Sequence, residues 1–265
     1  MKRSLRAVAV LAVCASALAV AGGVAARSRI VIVNSYAGHY EGFFDSAVTG
    51  QIATFTMDIA PSRTPIYSGL LLSAGLREPF LVAIGGNGGF IAGGTGPSGF
   101  LAVGKANPIA GGASVLATAA YLLRTPSGLD HGSLRFLRSF PAGDASQLPA
   151  SLSGRCTDAT GAAATVALRV ETAPGPPDFG GDVAIGGVSA PLVGSIGNPD
   201  LRTGLAPLVA TAVSTQGSID FDGSWVSGGQ PHMQGTATVT LADGSVSTET
   251  NCVLVPAVQV TTGGQ

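Results

Sequence analysis

The chain has 265 residues, 46% of them hydrophobic and only 11% charged, with 39 glycines and a formal net charge of −1. That length is enough for one large β domain or two small ones, and so sparse a basic complement excludes a nucleic-acid partner, which would need a cationic footprint. Abundant glycine with few charges favours tight turns and flat strands over charged amphipathic helices.

The N-terminus opens with the basic stretch Met1-Lys2-Arg3-Ser4-Leu5-Arg6, continues as an apolar run from Ala7 to Val20, and ends in Val24-Ala25-Ala26 before Arg27. This is the layout of a cleavable secretory signal over residues 1–26, with the cut expected between Ala26 and Arg27. An uncleaved anchor is the alternative, but the Ala/Gly-rich run is weakly hydrophobic for a permanent span. A lipoprotein reading of Leu11-Ala12-Val13-Cys14 meets a bulky Val13 where a small residue is usual. Cleavage removes Lys2, Arg3 and Arg6 and leaves 11 Lys/Arg against 15 Asp/Glu. No later apolar run reaches the roughly 18 residues of a membrane-spanning helix, so the exported product is expected to have no transmembrane span of that kind.

The clearest strand pattern is Ala53-Thr54-Phe55-Thr56-Met57-Asp58-Ile59, in which Ala53, Phe55, Met57 and Ile59 share one face. It returns as Ala164-Thr165-Val166-Ala167-Leu168-Arg169-Val170. Around these strands Tyr40, Gly42 and Phe44 align with Leu152, Gly154 and Cys156, and Tyr67-Ser68-Gly69 with Phe179-Gly180-Gly181. Further on, Leu116–Ala120 resembles Val209–Val213, and Gly132–Phe136 resembles Gly217–Phe221. The conserved order of these echoes points to an internal duplication. Because the offset shrinks along the chain, two insertions are expected in the first copy only, one at Gly85–Gly112 and one near Pro126–His131, each a loop or hairpin. Ala113–Arg124 could be a helix on composition, but its counterpart favours a strand.

The expected domains are therefore a first β unit over 27–146 with the Gly-rich insertion, a linker at 143–149, a second β unit over 150–256 and a disordered tail over 257–265. In the second unit Thr236–Leu241 and Val246–Leu254 alternate around a two-residue Asp243-Gly244 hairpin turn. That register puts Cys252 on one inward face with Val246, Thr248, Thr250 and Leu254. With Cys14 in the signal, Cys156 and Cys252 are the remaining pair, and in an exported chain one disulfide is expected between them. Since Cys156 lies on the first strand of its unit and Cys252 on the last, such a bond implies a closed or nearly closed sheet.

Candidate chemistry is sparse. His39, His131 and His232 are widely spaced and fit no metal-ligand spacing, so surface positions are expected for all three and no metal is implied. Asp130-His131 sets an acid beside a possible general base. Asp220 and Asp222, two apart on one strand, would both point outward with Cα atoms about 6–7 Å apart, a separation that could serve a glycosidase pair or help hold Ca²⁺. Gly85–Gly89 and Gly93–Gly96 could cradle an anion, but no Gly-Lys-Ser/Thr follows and no cofactor is implied. Trp225 is either an exposed ligand platform or a plug for one end of the second unit, and the plug is preferred. No G-x-S-x-G nucleophile elbow is present.

The segment Gly38-His39-Tyr40-Glu41-Gly42-Phe43-Phe44, followed by an alternating strand and Tyr67-Ser68-Gly69-Leu70, resembles the Y-x-G-x-F pattern of secreted bacterial β-barrel proteins of calycin-like or lipocalin-like shape. The resemblance implies up-and-down antiparallel strands and an apolar ligand cavity. Leu152 and Cys156 replace both aromatics in the second copy. The fold expected is all-β, two tandem degenerate antiparallel barrel or sandwich units, with a single two-sheet sandwich as the alternative. The function expected is that of a secreted or cell-envelope non-enzymatic protein that binds a small ligand or a surface partner. The competing reading is an extracellular hydrolase working through Asp220, Asp222 or Asp130-His131.

Overall fold

The computed structural model describes residues 36–109, 114–172 and 177–257. The expected signal, its Ala26/Arg27 cut and residues 258–265 of the expected tail lie outside them. The described chain is all-β: sixteen strands form two closed antiparallel barrels of eight, and within each barrel every strand pairs with its neighbours in sequence and the first closes on the last. The first barrel comprises β1 (Gly38–Ser46), β2 (Ile52–Ile59), β3 (Ile66–Ser73), β4 (Leu76–Ile84), β5 (Gly89–Gly94), β6 (Leu101–Ile109), β7 (Ser114–Thr125) and β8 (Gly128–Arg138). The second comprises β9 (Ser151–Asp158), β10 (Ala163–Thr172), β11 (Asp178–Ile185), β12 (Val188–Ile196), β13 (Leu205–Ser214), β14 (Gly217–Val226), β15 (His232–Leu241) and β16 (Val246–Pro256). No described helix is long and apolar enough to cross a membrane.

Period-2 alternation makes the barrels, because inward apolar residues of every strand meet in the lumen while their neighbours face out. In the first barrel Tyr40, Phe44, Phe55, Tyr121 and Phe136 form an aromatic cluster, with Phe44 tilted against Phe55 at 4.9 Å and edge-on to Tyr121 at 5.0 Å between ring centroids. The second lumen is mainly aliphatic, built on Leu152, Val166, Leu168, Ile185, Leu192 and Leu254, with Phe179, Phe221 and Trp225. Full burial of each such side chain is worth roughly 1.5–3 kcal/mol.

Closure shows which part of the duplication is exact. Gly42 on β1 pairs with Phe136 on β8, and Gly154 on β9 pairs with Leu254 on β16. At both glycines a Cβ would run into the last strand's backbone, at Arg135 O and Val253 O respectively. Two residues along, Phe44 faces Leu134, while Cys156 faces Cys252, to which it is bonded. The disulfide thus stands in the second barrel where the first packs an aromatic ring on a leucine.

The later correspondences need correction. Leu116–Ala120 and Gly132–Phe136 lie on β7 and β8, whereas Val209–Val213 and Gly217–Phe221 lie on β13 and β14, the fifth and sixth strands of their barrel. The expected Gly85–Gly112 insertion contains β5 and β6, which complete a barrel with the same strand number as its twin. Near Pro126–His131 there is likewise no separate loop: a tight turn joins β7 to β8, and Asp130 and His131 are already in β8. Ala and Gly recur so often on these strands that a shift of one hairpin still matches. Residues 114–124 are strand, as the pairing of β7 with β6 and β8 requires.

The chain divides into compact units at Arg138/Ser139. Within the second, Phe140 donates its backbone N–H to Ser195 Oγ at 3.0 Å, and a 3-10 turn at Ala145–Gln147 brings Ala145 and Leu148 into the lumen cluster.

The register expected for the last strand also changes. Residues 242–245 connect β15 to β16, with Gly244 at φ +83°, so the turn is longer than the two residues Asp243-Gly244. A bulge then shifts the pairing: Cys252 opposes Gly235, but Glu249 opposes Ala237. One extra residue inverts the faces upstream of it. Val246 and Thr248 are exposed in consequence, and Glu249 is buried, held at Oε1 by Ser247 Oγ at 2.8 Å. The Thr250 side chain lies outside the described residues.

Candidate functional site

Alternation along β14 sends Ile219 and Phe221 into the lumen and Asp220 and Asp222 outward, as the spacing predicts. The two carboxylates have different surroundings. Asp220 accepts a hydrogen bond from the hydroxyl of Thr211, directly opposite on β13, at 2.7 Å. Asp222 lies between Val209 on β13 and Thr236 on β15, and partial desolvation raises its pKa.

Asp130 and His131 are separated by the same alternation. Asp130 turns toward the barrel end, where Oδ1 accepts from Ser46 Oγ at 2.6 Å and Oδ2 from Tyr121 OH at 2.9 Å. Burial, reinforced by the bond to Asp130, pushes the Tyr121 phenol above its ordinary range. His131 is exposed on the opposite face. Adjacent strand residues point apart, so acid and imidazole are not a dyad, and the carboxylate already ties β1, β7 and β8 together.

His39 departs from the surface-loop expectation by standing on β1 between two carboxylates, with Nε2 3.5 Å from Glu41 and Nδ1 2.7 Å from Asp58. The bond to Glu41, and then Asp58, outweighs partial burial and raises its pKa to about 9. His232 opens β15, its Nδ1 2.8 Å from Gln230 O. The three histidines stand on β1, β8 and β15.

The glycine segments that could have cradled an anion are occupied by the chain itself. In the 85–89 turn Asn87 Oδ1 accepts the N–H of Gly89 at 3.0 Å, and Gly88 takes φ +81° where its backbone meets Ala106. Beyond β5, the N–H groups of Gly96 and Ser98 point at the carboxylate of Glu78, at 2.8 Å and 3.3 Å. Glu78 is 0% exposed, facing inward from β4. The nest is real, but its anion is internal, and it folds the 95–100 connection inward with Phe100 buried. Sequence reading missed Glu78; its one visible trace is a lone acid at an inward position of an alternating strand.

An apolar space lies in each lumen. That of the second barrel measures about 40 Å³ and lies among Leu168, Ile185, Leu192, Ile219, Phe221 and Met233. That of the first is about 30 Å³, between Tyr40, Phe55, Leu71, Phe80, Phe90 and Phe136. Either is room for one or two waters and offers them almost no hydrogen bonds. Trp225, 3% exposed, fills the end of β14 as a plug, and its buried indole N–H has no hydrogen-bond partner among the described residues.

No family model matches the chain, and no curated protein matches it. A solved structure of a protein of unknown function from the DUF3598 family of Nostoc punctiforme PCC 73102 is similar over 84% of this chain and 97% of that one, at 11% identity and a TM-score of 0.27. A likeness at that level carries no functional argument. The barrel implied by the Y-x-G-x-F resemblance is present twice in this chain, while the calycin or lipocalin assignment finds no support among the matches.

Proposed function

We propose that this chain is an exported, non-enzymatic binding protein that works through the outer faces of its barrel strands and not through their lumens. The observation that carries the reading is the filling of both lumens, which leaves spaces of only about 40 Å³ and 30 Å³ where drug-sized ligands need several hundred. The disposition of the candidate groups supports it: Asp130 is bonded to two hydroxyls, His131 faces the other way, and Asp220 is held by Thr211. Export is argued from the basic and apolar N-terminus and from the disulfide, which suits an oxidising compartment.

The experiment is a titration of the mature protein with brominated fatty acids, read by the fluorescence of Trp225, the single tryptophan, whose ring lies in the second lumen. A lumen that stays closed gives no saturable quenching. A parallel hydrolase screen is expected to yield no turnover that Asp220→Asn, Asp222→Asn or His131→Ala abolishes. Saturable quenching at one ligand per chain, or a turnover lost in one of those variants with the fold intact, overturns the reading.

A further inference from the structure

The outer faces of the two barrels differ in chemistry. On the first, Leu81, Leu101 and Leu122 stand in one line across β4, β6 and β7, with Gly93 of β5 completing the row. The adjoining row runs Ile66, Ala83, Ile91, Val103 and Ala120 across β3 to β7. Rows on one face are two residues apart, about 7 Å, and five neighbouring strands span about 19 Å. Leu81, Leu101, Leu122 and Val103 are 38%, 37%, 40% and 53% exposed and Ile66 38%, while the small Ala83 and Gly93 lie buried between them, so the large apolar side chains of β3, β4, β6 and β7 stand out to solvent.

Its borders are cationic. On the same outward faces Lys105 follows Val103 by two residues on β6, Arg124 follows Leu122 by two on β7, and Arg77 precedes Leu81 by four on β4, all three exposed. The carboxylate that borders the face is Asp58, on β2 opposite Leu70, and it is engaged with His39. Glu78 and Asp130 turn inward, and Glu41 and Asp45 are on β1. Residues 36–138 carry six Lys/Arg against five Asp/Glu, and residues 139–257 carry three against ten. On the second barrel Asp182, Asp220, Asp222 and Thr238 stand at outward positions, and the exposed large apolar residues of its strands, Leu241, Val246, Val253 and Val255, are confined to β15 and β16.

We propose that the β3–β7 outer face of the first barrel docks on an anionic lipid surface, with Val103, Leu101 and Leu122 entering the headgroup boundary and Arg77, Lys105 and Arg124 meeting lipid phosphates. The proposal rests on the surface-binding reading above and names its partner. Apolar side chains ringed by cations match the two attractions of an interfacial lipid site. A barrel's outer wall is convex, which a deformable bilayer accommodates and a protein partner must match with a complementary hollow. A second copy docking by the same face would set the same three cations against one another.

The test is flotation of the mature protein with vesicles of phosphatidylcholine containing about one third phosphatidylglycerol. Binding is expected on these vesicles, with at least a tenfold loss on pure phosphatidylcholine or at high salt. Val103→Asp should lower binding at least tenfold, and Lys105→Gln and Arg124→Gln about fivefold each, from roughly 1 kcal/mol per cation at an anionic surface. Thr238→Asp on the second barrel should change nothing, and circular dichroism checks the fold of every variant. Absence of binding to the anionic vesicles, or equal binding by Val103→Asp, overturns the proposal. So does a lipid-independent dimer that Val103→Asp dissolves, which assigns the face to a second copy. Because uptake by the second lumen is read separately through Trp225, and by the first through calorimetry with indole, failure on vesicles with both lumens closed removes the lipid partner and leaves the surface reading in place.

Discussion

The carboxylate of Glu78 accepts the backbone N–H of Gly96 at 2.8 Å inside the first barrel, with Ser98 N–H on its other oxygen at 3.3 Å. A Cβ on residue 96 would lie 2.7 Å from Glu78 Oε2, so glycine is required there by the approach of the anion. Glu78→Gln keeps one acceptor and turns an N–H₂ toward a donor, and is expected to destabilise by about 1–3 kcal/mol. Glu78→Ala strands both N–H groups and opens a void, for about 3–5 kcal/mol. Gly96→Ala should fall between them. Urea denaturation monitored by tyrosine signals checks all three, and an unperturbed midpoint in Glu78→Ala contradicts the assignment.

The disulfide closes a separation of 96 residues and joins the first and last strands of the second barrel. In the chain-entropy picture a loop of that size contributes about 4–5 kcal/mol. Cys156→Ser with Cys252→Ser should lower the midpoint of a transition reported by Trp225, while the first barrel, closed by Phe44 on Leu134, keeps its own midpoint. A shared shift of both transitions would show that the barrels do not unfold separately.

His39 carries a pH dependence whose direction follows from its partners. Its pKa is about 9 in the folded protein and 6.5 as the ordinary value, because the Glu41 and Asp58 carboxylates favour the imidazolium. The folded state therefore binds this proton more tightly, and the stabilisation is complete below about pH 6.5 and disappears as pH rises through about 9. The site is partly exposed, so the effect stays within about 1 kcal/mol. An NMR titration of the His39 ring should give a midpoint raised above the ordinary 6.5 that falls toward it in Asp58→Asn with Glu41→Gln. A midpoint unchanged by the double substitution contradicts the arrangement.

N-terminal sequencing of material secreted by a host that processes such signals should begin at or near Arg27. A retained Met1 contradicts the export reading.

Strands with clean alternation are legible in the sequence. Ala53–Ile59 and Ala164–Val170 fall within β2 and β10, and Cys156 meets Cys252 because each unit closes first strand on last. Less visible was anything that depends on how strands count around a barrel. β5 and β6 looked like a Gly-rich insertion because Gly93 and Gly94 supply no side-chain pattern, and a small-residue strand such as Leu116–Ala120 matches more than one partner. The bulge ahead of Asn251 has no glycine on its own strand to announce it, and it alone moved Glu249 to a buried position. Asp130 and His131 looked like a dyad as neighbours in sequence; in a strand, adjacency is what parts them. The Glu78 nest needs two segments 18 residues apart to meet, a relationship that composition does not carry.

The central claim, that the lumens are filled and the protein works from its outer faces, is tested most directly by indole binding to the wild-type protein and to Phe136→Ala. Phe136 packs against Tyr40, Phe55 and Phe90, at 5.9 Å, 5.9 Å and 6.0 Å between ring centroids. Removing its ring should destabilise the first barrel by about 3–5 kcal/mol and leave an apolar cavity of a size that admits a small aromatic. Calorimetry is predicted to show saturable indole binding to Phe136→Ala and none to the wild type. Stoichiometric binding to the wild-type protein would contradict the claim and return the function to the lumens.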